Sequence, residues 1–390
     1  MMTSIAKTTV IIPTFNRGPL LVETLESVLS QTREPDEIIV ADDGSPDDTP
    51  ERMAAYDGRI RYVRKDNSGK ADTLNQIIPR AAGDLIWIVD DDDIVLPDAL
   101  ATLAGLLEAD PEAGFAHGRY MRFTVDDTTG ARRRYDGGHW RDVPSEAFLL
   151  ATMQDFFVHH PGLIVRKSAY QAAGPFSLKY SRSEDYEMLM RLARKYRGVG
   201  TQNIVFLQRQ HDDPRVGGLV GQDTRYARWQ VEEQEMFTEL RRVGTLRDYL
   251  VRGAVTGETL SPELKRQALI TRGSVMARKA LWHFAFEDFA AACAPDMPAG
   301  KLSAREIQAI REALFSKYGC PELLDDPAVE AGLLPLRGKG PVGAEMARTF
   351  ARALAWFIRR ALSEGRYADA ARLSGLALKL AAPGLPAKAA

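Results

Sequence analysis

Leu85-Ile86-Trp87-Ile88-Val89-Asp90-Asp91-Asp92-Asp93 decides the fold, because a fully apolar strand runs without a turn into four consecutive aspartates. Working outward, the segments before it alternate in character. Thr8 to Ile12 is a β-branched strand ending at Pro13, and Gly18-Pro19 opens an amphipathic stretch in which Leu20, Leu21, Thr24, Leu25, Val28 and Leu29 recur at helical spacing. Glu37 to Ala41 reads as a second strand, closed by Asp42-Asp43-Gly44-Ser45-Pro46. Thr49-Pro50-Glu51 looks like an N-cap with proline at the first helical position. Ile60 to Val63 is a third strand, and Lys70 to Arg80 a helix broken by Pro79. Short apolar strands separated by helices imply βαβ units and a buried, largely parallel sheet. In such a sheet ligands sit at the carboxyl ends of the strands.

Beyond Leu107 the pattern loosens. Phe115 to Val125, Gly162 to Val165 and Ile204 to Gln210 read as strands, Glu184 to Lys195 as a helix, and Asp126 to Asp142 as an Arg- and Gly-rich hairpin or loop. From about residue 225 the strand signal stops. Segments 225–243, 262–294, 303–318 and 344–382 carry helical periodicity, and the last pair, hinged at Gly365-Arg366-Tyr367, resembles half of a tetratricopeptide-type unit. The expected division is a catalytic domain over 1–240, with halves of about 8–110 and 111–240, and a helical domain over 241–390.

Composition excludes several classes. With 390 residues, 45% hydrophobic and 27% charged, the chain is globular, and its net charge of -2 lacks the basic excess of a nucleic-acid coat. Two cysteines, Cys293 and Cys320, make neither a disulfide framework nor a cysteine zinc site. No apolar run of about 18 residues marks a spanning helix and no signal peptide opens the chain, so a soluble cytoplasmic protein is expected.

The aspartates carry the chemistry. A single acid after a strand can cap the next helix. Four adjacent ones in a half-buried loop repel unless protons or a cation neutralise them. A hard divalent cation with oxygen ligands, Mn²⁺ or Mg²⁺, is the natural neutraliser.

Val10-Ile11-Ile12-Pro13-Thr14-Phe15-Asn16-Arg17, Asp42-Asp43-Gly44-Ser45, Asn67 to Asn75, and Gly83-Asp84 leading into the aspartates occur in that order. This ordered set resembles the donor half of glycosyltransferase family 2, over about residues 8–215. The resemblance implies an α/β fold of GT-A type, a Rossmann-like mixed, largely parallel sheet flanked by helices, followed here by an all-α region. It implies an inverting transfer of sugar from a nucleotide-diphosphate sugar, expected to be a UDP-sugar, to a hydroxyl of a glycan, lipid-linked or protein acceptor. By position, Pro13, Asp43 and Lys70 would hold the donor nucleotide, with Asp90 and Asp91. Asp90 and Asp92 match the outer positions of a D-x-D metal motif, joined by His211 after the last strand. Four identical residues leave the register of that motif open by one. Glu184-Asp185, opening a helix after Ser183, matches the place where the family carries its acceptor-side acids, with Asp185 as general base. The bland alternative there is a serine cap followed by helix-favouring acids.

Other features stay open in the sequence. His159-His160 precede a strand and cannot both face one metal, and Trp140 suits either a sugar face or a loop anchor. Arg348 to Arg360, with Phe350, Leu354, Trp356 and Phe357, either packs on a core or docks a partner or the inner face of a membrane. A metal-dependent nucleotidyltransferase or phosphohydrolase would also use clustered aspartates, and a silent sugar-binding protein would keep the fold.

Overall fold

The computed structural model describes residues 6–126, 128–136, 139–210, 222–255 and 257–383, with the side chains of 222–227 left aside. These residues fall into two compact units, one formed by residues up to Thr152 with Phe156–Asp223, the other by Met153–Asp155 with the chain from Thr224.

The first unit is built on a nine-stranded mixed sheet. Its strands are β1 (Thr8–Thr14), β2 (Glu37–Asp42), β3 (Arg61–Arg64), β4 (Leu85–Ile88), β5 (Ile94–Val95), β6 (Ala113–Val125), β7 (Arg132–Tyr135), β8 (Leu163–Arg166) and β9 (Arg197–Arg209). Helices α1 (Gly18–Leu29), α2 (Thr49–Ala54), α3 (Lys70–Ile77), α4 (Ala99–Ala109), α5 (Phe148–Gln154), α6 (Lys167–Ala173) and α7 (Glu184–Lys195) flank it. The order is β3-β2-β1-β4-β8-β6-β9-β5, with β7 hairpin-paired to β6.

Strands β3, β2, β1 and β4 are mutually parallel, while β8 runs antiparallel to both β4 and β6. The chain order reverses between β1 and β4, so the carboxyl ends of β1, β2 and β4 open onto one crevice. Period-2 alternation along these strands feeds two cores. Val10, Ile12, Val40 and Trp87 pack with Leu21, Leu25 and Val28 of α1 and Leu100 and Leu103 of α4. Ile11, Ile39, Ala41, Ile86 and Ile88 pack instead with Leu74 and Ile77 of α3 and Met188 and Leu189 of α7.

Two local expectations are revised and a third is narrowed. Thr49 is not the cap of α2: its N–H and hydroxyl both donate to Asp47, which also accepts from the Gly18 N–H. Strand β9 begins at Arg197 rather than Ile204, because Arg197 to Gly200 pair with Ala113 to His117 of β6. The Arg-rich segment after Asp126 does form a hairpin, Arg132–Tyr135 pairing with Arg122 to Val125.

The second unit is helical: α8 (Gln222–Val243), α9 (Pro262–Arg278), α10 (Trp282–Ala292), α11 (Ala304–Glu312), α12 (Glu322–Asp325), α13 (Pro327–Leu333), α14 (Gly340–Ser363) and α15 (Tyr367–Ala381). Segment 262–294 is two helices, because Ala280 adopts a left-handed backbone (φ 56°) that ends α9. Helix α8, which a boundary near residue 240 would leave with the first domain, belongs to this unit. Buried Glu233 on α8 ties it in, pairing with Lys279 at 2.7 Å and Lys317 at 2.7 Å.

Gly83 sets the approach of β4 to β1. Its N–H donates to Thr9 Oγ1 at 2.8 Å, and a Cβ there would lie 2.5 Å from the Thr9 backbone nitrogen. Gly83→Ala must therefore push the two strands apart at the root of the crevice, at a cost of about 1–3 kcal/mol. Chemical denaturation of the two proteins checks this, and equal midpoints would contradict the close approach.

Candidate active site

The aspartates follow β4 and precede β5, so both ends of the cluster are fixed by sheet pairing. Between the strands the chain makes a tight turn, in which the Asp93 N–H donates to the Asp90 carbonyl at 3.2 Å, and the four side chains alternate in burial around it. Asp91 and Asp93 are buried, whereas Asp90 and Asp92 are half-buried.

The four aspartates meet protein partners from three remote segments. Asp91 accepts a hydrogen bond from Thr14 Oγ1 at 2.7 Å and one from Arg17 at 2.9 Å. The same Arg17 nitrogen lies 2.8 Å from Asp92 Oδ2, so one guanidinium bridges both. Asp93 accepts from the Arg209 N–H at 2.9 Å, and the Asp92 carbonyl accepts from Arg209 Nε at 2.9 Å. Asp90 pairs with Lys70 Nζ at 2.5 Å.

Arg17 is aimed by the turn after β1. Asn16 sits at φ 57°, a conformation asparagine tolerates, and its N–H donates to Ser45 Oγ at 2.9 Å. The neutralisation required by the sequence is thus supplied inside the chain, by Arg17, Lys70 and protons. Burial, with Asp92 adjacent, pushes Asp91 up to about 6 against the pull of Arg17. Burial, with Asp92 and Asp90 nearby, raises Asp93 well above the carboxylate range. Burial also opposes ionisation of Asp90, but Lys70 outweighs it and brings Asp90 down to about 2.

Lys70 links this cluster to the second constellation. Besides Asp90 it lies 3.9 Å from Glu184 Oε1, at the start of α7. Burial disfavours its charge, but Asp90, Glu184 and Asp185 outweigh that and raise its pKa. The serine-cap reading of this helix start is not realised, since the Ser183 side chain makes no capping bond. Burial, reinforced by Asp185, lifts Glu184 to about 8. Burial lifts Asp185 to about 6, with Lys70 opposing, and its Oδ1 accepts from the Tyr186 N–H at 2.7 Å.

The nucleotide-side residues divide. Pro13 is buried within β1 opposite Ala41, and the exposed group at that strand end is Phe15, with 45% of its surface accessible. Asp43 is buried, and its carboxylate accepts the Ser68 N–H at 3.0 Å, the Gly69 N–H at 2.8 Å and the Lys65 ammonium. That occupies three of roughly four acceptor positions, so its main visible work is holding the 65–69 turn ahead of α3. Gly69, at φ 94°, takes a conformation that favours glycine.

His211 lies outside the described residues. Trp140 donates from Nε1 to Gln202 at 3.2 Å and its ring lies 5.5 Å from that of His117, which makes it a loop anchor. Two participants escaped the sequence reading, Arg17 as a partner of the aspartates and Phe15 as an exposed ring, while His160, left open there, lies near Asp90. Burial, aided by the Lys70 ammonium, depresses His160 to about 3, so it is neutral beside Asp90.

Among the described residues no three His, Cys, Asp or Glu side chains converge on a cation position. The donor set nevertheless fits a magnesium-like ion, which takes one or two carboxylates and completes its shell with substrate phosphates and water. Half-buried Asp90 and Asp92 are the two carboxylates in question.

Comparison with known proteins places this geometry. Residues 9–174 match glycosyl transferase family 2. The glycosyltransferase GlyG of Streptococcus pneumoniae is 37% identical over 30% of this chain and 40% of its own length. A GalNAc(5)-diNAcBac-PP-undecaprenol beta-1,3-glucosyltransferase of Campylobacter jejuni is 39% identical over 25% of this chain and 33% of its own. The matches therefore span less than half the length of either relative. The structure of S. aureus TarS 1–349 in complex with UDP-GlcNAc superposes with a TM-score of 0.50 at 16% identity, covering 92% of each chain. The fold is GT-A.

Raised acids give the free protein a pH signature. Glu184 ionises near its ordinary 4.5 when unfolded and at about 8 when folded, so the folded state holds the extra proton between these values. Stability is then fully present below the unfolded value and is lost as pH rises through the folded one. The melting temperature should fall between about pH 5 and pH 8, and Glu184→Gln should flatten the fall. A flat or rising wild-type profile, or the same slope in the variant, would contradict the burial of this carboxyl.

Proposed function

From the match of residues 9–174 to glycosyl transferase family 2, we propose that this protein is an inverting glycosyltransferase using a UDP-sugar and a hydroxyl acceptor. One observation carries the proposal: Lys70 spans the aspartate cluster and the start of α7, lying 2.5 Å from Asp90 and 3.9 Å from Glu184. Donor-side and acceptor-side acids thus lie within one side chain's reach.

The two acceptor-side acids take different roles. At neutral pH Glu184, lifted to about 8, keeps its proton, while Asp185, lifted to about 6, has lost its own. A pair of acids separated in this way assigns its own acid and base. Asp185 is the general base, with an affinity for protons better matched to neutral pH than an ordinary aspartate has. It takes the proton of the acceptor hydroxyl as that oxygen attacks C1 of the donor sugar, opposite the departing diphosphate, and the anomeric centre inverts. Glu184, protonated, can donate a hydrogen bond to substrate without adding charge beside Asp185.

On the donor side, Asp90 and Asp92 are the carboxylates that would hold Mn²⁺ or Mg²⁺. Such an ion, when bound, stabilises charge on the leaving diphosphate. Lys70 and Arg17 sit on those same carboxylates and are placed to turn toward the phosphates when the donor enters. Phe15 offers a face on which the base can stack. The remaining acceptor position of Asp43 suits the N3–H of uracil, and cytosine has no ring N–H to give it.

A nucleotidyltransferase or phosphohydrolase would need no acid at Asp185, and a silent binding protein would show no turnover. Release of nucleotide diphosphate from a panel of nucleotide sugars, with Mn²⁺ and then with excess chelator, decides among them.

Asp185→Asn keeps the size of the side chain but cannot take the proton. Turnover should fall by about 10²-fold or more with little change in donor affinity. If calorimetry instead showed donor binding collapsing while saturated turnover stayed normal, Asp185 would belong to the donor site. In the same calorimeter, with Mn²⁺ present, UDP should bind about tenfold more tightly than GDP or better. Tighter binding of GDP would reject the uridine assignment and leave the transfer chemistry standing.

A further inference from the structure

Helix α14 has two unlike faces. Val342, Met346, Ala347, Phe350, Ala353 and Leu354 are buried within the helical unit. The opposite face carries Arg348, Arg352 and Arg359, all exposed. At 3.6 residues per turn these three, with Leu362, Ala355 and Trp356, fall within an arc of about 120°. Together they extend over about 21 Å of helix axis.

The arginines on this face have no internal purpose in the structure. Among the described residues Arg348, Arg352 and Arg359 form no hydrogen bond or ion pair, while neighbouring Arg360 pairs with Glu364 at 2.8 Å. Between Glu345 and Glu364 the sequence contains no acid, so nothing along the helix offsets their charge. Beside them, large apolar groups remain in solvent: Trp356 is 41% accessible and Leu362 49%. Phe315 meets the Trp356 ring at 5.4 Å, edge to face, and extends the apolar margin of the same surface.

We propose that this face of α14 docks the protein onto an anionic lipid bilayer. Two features have to be satisfied together: unpaired guanidinium groups need anions, and the Trp356–Leu362 margin needs removal from water. A bilayer surface offers a plane of phosphates directly above an apolar layer, and tryptophan is suited to that boundary. A nucleic acid or an acidic protein would answer the charge but not Trp356, Phe315 and Leu362. Contact is peripheral, since no described helix is long and apolar enough to cross a membrane. The inference rests on the helical unit alone and stands or falls independently of the transfer chemistry.

The test is co-sedimentation of the full chain with phosphatidylcholine vesicles, with and without phosphatidylglycerol. Binding should require phosphatidylglycerol and weaken with added salt. Each of Arg348→Glu, Arg352→Glu and Arg359→Glu should lower apparent affinity more than fivefold, because loss of one basic residue near an anionic surface costs about that much and the new carboxylate is repelled as well. Trp356→Ala should weaken binding without changing its salt dependence. Circular dichroism verifies that the variants keep their helices, and Arg352→Gln serves as a milder variant if Arg352→Glu does not fold. Absence of binding to the anionic vesicles, equal binding to neutral ones, or unchanged binding by folded variants would overturn the proposal. So would sedimentation equilibrium showing a dimer that Trp356→Ala dissolves, because the face would then join two copies of this chain.

Discussion

Four consecutive carboxylates at the mouth of a parallel sheet are an electrostatic problem that the rest of the first unit is arranged to solve. Strand β4 brings them to the crevice between β1 and β4, where water is scarce and like charges are costly. The solution draws on three remote segments. Arg17, from the turn after β1, spans Asp91 and Asp92; Lys70, opening α3, takes Asp90; Arg209, ending β9, holds Asp93 and the Asp92 carbonyl. The buried members are further relieved by keeping protons more strongly than ordinary aspartates do. What this leaves is a pair of half-buried carboxylates, Asp90 and Asp92, separated by one buried neighbour.

That alternation bears on a question four identical letters could not answer. The register of the D-x-D motif is open in the sequence, because every position is aspartate. In the turn they form, Asp91 is directed at Thr14 and Arg17 and Asp93 at the Arg209 N–H, which leaves Asp90 and Asp92 as the half-buried pair and favours the reading proposed for them. Arg17 and Lys70 act as internal counter-ions to these carboxylates.

Much of the fold was legible because the parallel strands are buried on both faces and their apolar runs are bounded by turn residues. Ile11 and Ile12 go to opposite cores simply because they are neighbours in a strand. The strand ends Asp42-Asp43 and Asp90 to Asp93, and the acids opening α7, were equally plain, since carboxylates in such places need a reason. Long-range partners were not. Nothing near Arg17 in the sequence announces that it will reach residues 91 and 92, and Lys70 gave no sign of Glu184. Pro13 drew attention as a motif residue, although the exposed group at that strand end is Phe15. The early start of β9 was hidden for a related reason: Arg197 to Gly200 look polar and flexible until β6 pairs with them. In the helical region, periodicity ran through Ala280, whose left-handed backbone no propensity scale marks.

The central claim is that Asp90 and Asp92 form half of a cation site that only a diphosphate completes. Electron paramagnetic resonance of Mn²⁺ titrated with the protein tests it directly, because the signal of the free ion reports binding without any turnover. The account predicts little loss of the free-ion signal with protein alone and a strong loss when UDP is added. It also predicts that Asp92→Ala abolishes the excess over UDP by itself. Tight Mn²⁺ binding without nucleotide, or no protein-dependent binding with it, would contradict the account.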